Sequence, residues 1–398
     1  MMKWAALVVL GWCASVRAEI VVEKVDDRRS DGCVEVRGVG AGAFEPEIWE
    51  KGTVNLVSDV RQPMLEPREG KFRNIYAPSA VEVEGGWRLF FGGWDGTASG
   101  NDQIYTLTTS DWRALEDRRP VIEHGAFEHV CNVSALRGED GRFELMCTAY
   151  PDAKGLNKPA LFRVGDGAKS LRASAEHLIS IRGYEPFASA DINGMNVILR
   201  ERGAWRLYFN NFRDFGKTFL ARSEDGKSWT YEGVALEAPL MVNDVKKVRA
   251  RGQDWYLMAL HHNAGDLQYS LSRDGRAFGK PMTLLTSGGV ADGYIVAVGW
   301  VVQKDRVLGV LYGAGSAGSL DQNRIFARWV QKKVEWVSED GKRAAPTGAL
   351  GPDVVRFDVS GKGKFEVLSE DAKTVLGSSA RITVMGGETW RIVLKAQE

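Results

Sequence analysis

Short apolar and aromatic runs recur along the chain with polar turns between them. The runs Trp87–Phe91, Phe143–Cys147, Trp205–Phe209, Trp255–Ala259 and Val307–Tyr312 start 50 to 62 residues apart. Each follows a turn such as Glu84-Gly85-Gly86 or Glu139-Asp140-Gly141. Each turn follows another β-like run: Ser79–Val83, Val133–Arg137, Asn196–Arg200, Val245–Arg249 and Ile295–Val302. Two extended runs about a tight turn predict a hairpin, here five times over. A third run follows in every unit, Gln103–Thr108, Pro159–Val164, Thr218–Ser223, Leu267–Ser272 and Asn323–Trp329, and a short fourth run such as Pro281–Leu285 completes it. About four strands per unit at a period of roughly 50 residues predict propeller blades. No long stretch has helical periodicity.

Two third runs lead into the same turn. Ser223-Glu224-Asp225-Gly226-Lys227-Ser228-Trp229 matches Ser272-Arg273-Asp274-Gly275-Arg276-Ala277-Phe278. The Asp caps the turn backbone, the Gly takes a positive φ and the aromatic packs between sheets. The fold expected is therefore all-β: a five-bladed β-propeller over residues 19–345 with a small C-terminal β extension over 346–398. Part of residues 19–70 is expected to supply a closing strand for the last blade.

Met1–Ala18 reads as a secretory signal, with Lys3 before an apolar stretch and Val16-Arg17-Ala18 ending in a small residue. The apolar run is too short to span a bilayer. The expected product is exported, periplasmic or extracellular, with no membrane span. An oxidising compartment permits a disulfide. Cys131 and Cys147 flank a predicted turn, which leaves two readings open, a cross-strand bridge or two buried thiols.

Composition narrows the partners. The chain of 398 residues has 44% hydrophobic and 26% charged residues, the balance of a globular protein. Lys plus Arg and Asp plus Glu are each 52, so no basic excess points to nucleic acid. The 45 Gly and 13 Trp suit many turns and aromatic surfaces for sugar rings.

Five blades, an export signal and Ser-x-Asp-Gly-x-x-aromatic turns resemble the five-bladed propeller glycoside hydrolases, families 43, 32 and 130. The segment from Pro63 to Gly93 looks like their first blade. The resemblance covers residues 60 to 335 and fixes no single family. It implies cleavage of glycosidic bonds in an oligosaccharide or polysaccharide fragment by carboxylates at the axis, where the innermost strands begin. One group protonates the leaving oxygen and another activates water or attacks the sugar.

Acids and amides stand at those strand starts: Asn74, then Glu128-His129 and Asn132, Asp191 and Asn193, Asn243-Asp244, and Asp292. By the resemblance, Asp244 takes the place of the general acid and Asp191 that of the carboxylate tuning its pKa. The general base would stand at Asn74, which is no acid. Glu128 or Asp95 then takes the role, or catalysis is lost and a carbohydrate-binding propeller remains. If Glu128 is the base, the resemblance implies inversion. Trp94 with Asp95 suits sugar stacking, and one of His261 and His262 faces the axis, with His262 carried as the candidate. No cofactor is required on this reading, although oxygen ligands from several blades could hold a central Ca2+. A sialidase would need six blades and an arginine cluster, which the sequence does not supply. No Walker loop, Gly-x-Ser-x-Gly elbow or His-Glu-x-x-His motif occurs.

Overall fold

The hairpins form at the turns that separate the apolar runs. The computed structural model describes residues 21–25, 33–151, 155–287, 289–338, 343–358, 365–368, 375–379 and 390–395. The expected signal over residues 1–18 lies outside them. Five sheets each begin with an antiparallel hairpin. Their first two strands are Phe72–Val83 with Gly86–Thr97, His129–Arg137 with Phe143–Tyr150, Val197–Glu201 with Ala204–Phe209, Met241–Ala250 with Gln253–His261, and Tyr294–Gln303 with Arg306–Gly315. The third strands are Gln103–Thr109, Lys158–Val164, Lys217–Ser223, Asp266–Ser272 and Arg324–Val330.

The first strands pack in a closed cycle. Phe72–Val83 contacts His129–Arg137, which contacts Val197–Glu201; Met241–Ala250 and Tyr294–Gln303 follow, and Tyr294–Gln303 returns to Phe72–Val83. The fifth sheet is closed by an early segment: Leu56–Ser58 pairs antiparallel with Arg324–Val330. Asp59 fastens this closure. Its carboxylate accepts from Arg61 Nε at 2.8 Å, from the Trp329 indole at 2.8 Å and from the Gly351 N–H at 3.3 Å.

Two further sheets lie outside the cycle. Val21–Val25 and Cys33–Arg37 join Val354–Asp358 and Gly348–Ala349, while Lys333–Ser338 pairs with Arg343–Ala344 and with Trp390–Lys395. Both sheets thus mix strands from either side of residue 345. Helix among the described residues is limited to Pro46–Lys51 and two short 3-10 turns. None is long and apolar enough to cross a membrane.

The core lies between neighbouring sheets. Trp112, Trp229, Trp300 and Trp329 are fully buried, and the second-strand residues Trp87, Trp205 and Trp255 are buried too. Truncating such a ring leaves a cavity and costs about 3–5 kcal/mol. The outer turns form as their sequence dictates. Gly226 and Gly275 adopt φ of 72° and 67°, and each donates its N–H at 2.9 Å to the Ser hydroxyl three residues back.

Cys131 and Cys147 are both free and buried. Cys131 stands opposite Thr148, so Cys147, one residue away, points to the other face. That geometry settles the two readings in favour of separate thiols.

Candidate functional site

The first strands are interrupted at matching places. Register shifts fall between Tyr76 and Ser79, Cys131 and Ser134, Val242 and Asp244, and Ile295 and Ala297. A bulge bends a strand and re-aims its side chains. Asn132, inside one bulge, adopts φ 56°, a left-handed conformation that Asn tolerates better than most residues. The bulges deliver Asn132 and Val296 to a cavity at this end of the sheets.

The residue after three of these bulges bridges to the next sheet. Ser79 Oγ accepts the Ala135 N–H at 3.0 Å, Ser134 Oγ accepts the Ile198 N–H at 3.1 Å, and Asp244 Oδ2 accepts the Trp300 N–H at 2.8 Å. In all three, a polar group links one first strand to the next. Asp244 is therefore the counterpart of two serines. Its other oxygen is 3.0 Å from Lys246 Nζ. It is buried and does not line the cavity.

The cavity has a volume of about 560 Å³. Aromatic walls come from Phe72, Trp94, Tyr150 and Phe212, and amides from Asn74, Asn132, Asn193, Asn263 and Asn323. Its titratable residues are Asp102, Glu128, His129, His261 and Asp321, besides the phenols of Tyr76 and Tyr150.

Asp102 and His129 form a coupled pair on this surface. The Asp102 N–H points at His129 Nδ1 at 3.0 Å, and Asp102 Oδ2 lies 3.2 Å from the same nitrogen. Burial raises the Asp102 carboxyl above its usual range, against the opposite pull of His129 and Tyr76. The hydrogen bond to Asp102 raises His129, with burial opposing. Both shifts favour keeping a proton on the pair. The Tyr150 ring packs edge-on to the imidazole with centroids 5.5 Å apart. Among the described residues the hydrogen-bond contacts of His129 are at Nδ1, and no protein hydrogen bond takes Nε2. Glu128 and Asp321 are exposed acids of the same cavity, and both act electrostatically on His129.

The cavity brings together Asn74, Trp94, Glu128, His129, Asn132 and Asn193 from the residues singled out in the sequence. It does not include Asp95, Asp191, Asn243, Asp244, His262 or Asp292. Asp95 follows Trp94 on one strand and points the other way, where Arg118 Nε donates to it at 2.8 Å and the Arg68 N–H at 2.7 Å. Asp191 Oδ1 accepts both the side-chain amide and the N–H of Asn157, at 2.7 and 3.2 Å. Asp292 is buried under the Ser287 and Tyr312 hydroxyls, at 2.7 and 2.6 Å.

The histidine expectation is corrected by one residue. His261 faces the cavity, and His262 is exposed with its Nε2 3.8 Å from Asp266. His261 accepts from Asn243 at Nδ1 (2.6 Å) and donates from Nε2 to Asn263 at 3.0 Å. Burial pushes it down to about 4, so it is neutral near pH 7. Asn243 serves as its brace and also accepts the Val298 N–H at 2.8 Å.

Sequence reasoning missed Asp102, Asp321 and Asn323. All three precede third strands rather than first strands. The signals present were Gly100-Asn101-Asp102 before Gln103–Thr109 and Asp321-Gln322-Asn323 before Arg324–Val330, polar clusters at equivalent ends of two units. Among the described residues no three His, Cys, Asp or Glu side chains are grouped as a metal site.

No protein-family model matches the sequence, and no curated protein matches it. Solved structures do match at the level of the fold. One, from Bacteroides thetaiotaomicron and provisionally assigned as a glycosidase, has TM-score 0.52 and 11% identity over 73% of this chain and 99% of its own. Another, the protein BT0996 in an RGII complex, has TM-score 0.53 and 12% identity over 72% of this chain and 94% of its own. At such identities the likeness establishes the fold, and chemistry rests on the site itself.

Proposed function

We propose that the protein is an exported glycoside hydrolase-like enzyme whose five cyclically packed sheets are the blades of a propeller. Its active site is the cavity at the inner strand ends, and its substrate an oligosaccharide or polysaccharide fragment. The observation that carries this reading is the Asp102–His129 pair, set in a cavity walled by aromatics and amides with two more carboxylates beside it. Aromatic faces stack on sugar rings and amides read hydroxyls. Glycoside cleavage needs a proton donor and a base. His129 Nε2, backed by Asp102, supplies the proton to the leaving oxygen. Glu128 is the base that activates water, in the same cavity as Asp321. Asp244 and Asp191 then hold the fold, Asp244 through Trp300 and Lys246 and Asp191 through Asn157.

The second reading, a binding propeller without turnover, draws on Asn74. It stands where the resemblance expects the base, and its Oδ1 is occupied by the N–H of Asn323 at 2.8 Å. Both readings are tested by incubating the purified protein with a panel of natural oligosaccharides, alongside His129→Gln. Sugar release by the parent and not by the variant supports the enzyme. Binding by both without release supports the binding propeller.

A further inference from the structure

Two buried oxygens of the cavity have no hydrogen-bond partner among the described residues, Asp102 Oδ1 and Asn323 Oδ1. Asp102 is 8% exposed and Asn323 0%. Both residues line the cavity. Buried acceptors are ordinarily satisfied, and a pair left open beside a cavity calls for donors from a ligand. The Asn323 amide nitrogen is already used, donating to Asn74 Oδ1 at 3.1 Å and Leu320 O at 2.6 Å, which fixes Oδ1 as the unused atom.

Outside the proton-sharing Asp102–His129 pair, the charge of the cavity has one sign. Its lining carries the carboxylates of Asp102, Glu128 and Asp321 and no Lys or Arg. Three basic groups beside the lining have other partners. Arg73 pairs with Glu69 at 3.1 Å, Arg324 donates to the Asn323 carbonyl at 3.0 Å, and Lys158 donates to the Phe187 and Ala190 carbonyls at 2.6 and 2.7 Å. Lys71 stacks over Phe72 from outside the lining, 5.1 Å from the ring centroid. An anionic sugar would bring more acceptors to open acceptors and more negative charge to the carboxylates of Glu128 and Asp321. A hydroxyl or an ammonium group brings the missing donor.

From the open acceptors and the one-signed lining we infer that the cavity takes a sugar unit rich in hydrogen-bond donors and rejects units bearing a carboxylate or sulfate. This selectivity rests on the saccharide reading above. Glu128 and Asp321 supply the repulsion, and Asp102 and Asn323 supply the acceptors.

The test is titration calorimetry of the full-length protein at low salt with defined oligosaccharides. Three arms are a neutral set (cello-, xylo-, manno- and arabino-oligosaccharides), a chitosan oligosaccharide and an oligogalacturonate. The expected result is binding of a neutral or amino sugar at least about tenfold tighter than the uronate, about 1.4 kcal/mol. Preference for a neutral sugar assigns hydroxyls as the donors, and preference for chitosan assigns the ammonium. The gap should narrow several-fold in Glu128→Gln/Asp321→Asn and in 0.5 M salt. Uronate bound as tightly as the best neutral sugar overturns the inference and leaves the saccharide reading standing. A gap unchanged in the double variant overturns the role given to the two acids. No binding in any arm overturns both.

Discussion

At the outer rim, Asp225 accepts the N–H groups of Lys227 and Ser228, each at 2.7 Å, and the Ser223 hydroxyl at 3.0 Å. At the inner end, Asp102 lines a cavity with one oxygen near His129 and the other buried without a hydrogen-bond partner. The two aspartates are similar in sequence context, each beside a Gly or Asn in a loop next to a strand. They differ in what surrounds the carboxylate. Rim acids are stabilised as anions by the backbone they cap. The cavity acid is desolvated and shares a proton with an imidazole. Among the described buried acids, Asp102 is the one left with an oxygen unsatisfied, and it stands beside a cavity. That is where the proposed chemistry lies.

Breaking the inner half of this contrast has the largest expected effect. Asp102→Asn removes the group that raises His129 and should lower turnover by about 10²–10⁴-fold, the range for losing acid–base assistance. Removing Asp102 also lowers the His129 pKa, so the alkaline limb of the activity profile moves to lower pH. A melting temperature close to the parent's, measured alongside, separates this loss from unfolding.

Asp244 provides the control, a buried acid with both oxygens engaged. Asp244→Ala leaves Lys246 unpaired and the Trp300 N–H unbridged, at a cost of about 3–5 kcal/mol for a broken buried pair. Turnover per folded molecule should survive. Asp244→Ser should cost less, because Ser79 and Ser134 make the same bridge in two other sheets. Urea unfolding of the two variants checks the order. Equal losses would remove Asp244 from the set of bridging residues.

How much of this was legible in the sequence follows from the range over which each feature is set. The hairpins and Ser-x-Asp-Gly turns are local, and their patterns placed the strands. The closing strand was expected from residues 19–70 and is Leu56–Ser58. The cavity was legible only by region. Along an extended strand, one residue decides which face a side chain takes, and a bulge changes the count. Trp94 lines the cavity and Asp95 does not; His261 does and His262 does not. The bulge at Asn243 turns Asp244 toward the next sheet. Asp102 and Asn323 come in from loops before third strands, so only the assembled cycle brings them to the first-strand ends.

His261 extends the comparison to pH. Its folded pKa of about 4 lies below the ordinary value of 6.5. The unfolded protein therefore takes up a proton first as pH falls. The stability linked to His261 is complete above pH 6.5 and declines toward pH 4, by roughly 3 kcal/mol in all at 1.36 kcal/mol per unit. Unfolding free energies measured at pH 7 and pH 4.5 should show most of that decline. In His261→Gln the contribution disappears and the profile flattens. An unchanged slope would assign the decline to other groups.

The smallest effect belongs to the rim. The backbone N–H groups of Ser228 and Lys227 hold the Asp225 carboxyl down to about 2, below its usual range. A depressed carboxyl contributes stability that is complete above its unfolded value and lost as pH falls toward the folded one. That window, near pH 4 down to pH 2, lies apart from the window of His261. Asp225→Asn keeps the turn's shape and one acceptor oxygen but loses the charge. It should leave turnover unchanged, lower the pH 7 melting temperature slightly and flatten the dependence on pH below 4. Asp274 caps its turn in the same way, accepting from Arg276 N–H at 2.7 Å and Ala277 N–H at 3.1 Å, so Asp274→Asn should behave alike. A thermal scan of both variants between pH 2 and pH 7 decides it. If either variant instead lost turnover at pH 7, the rim would be coupled to the cavity, and the division between acids that hold the fold and acids that serve the site would fail.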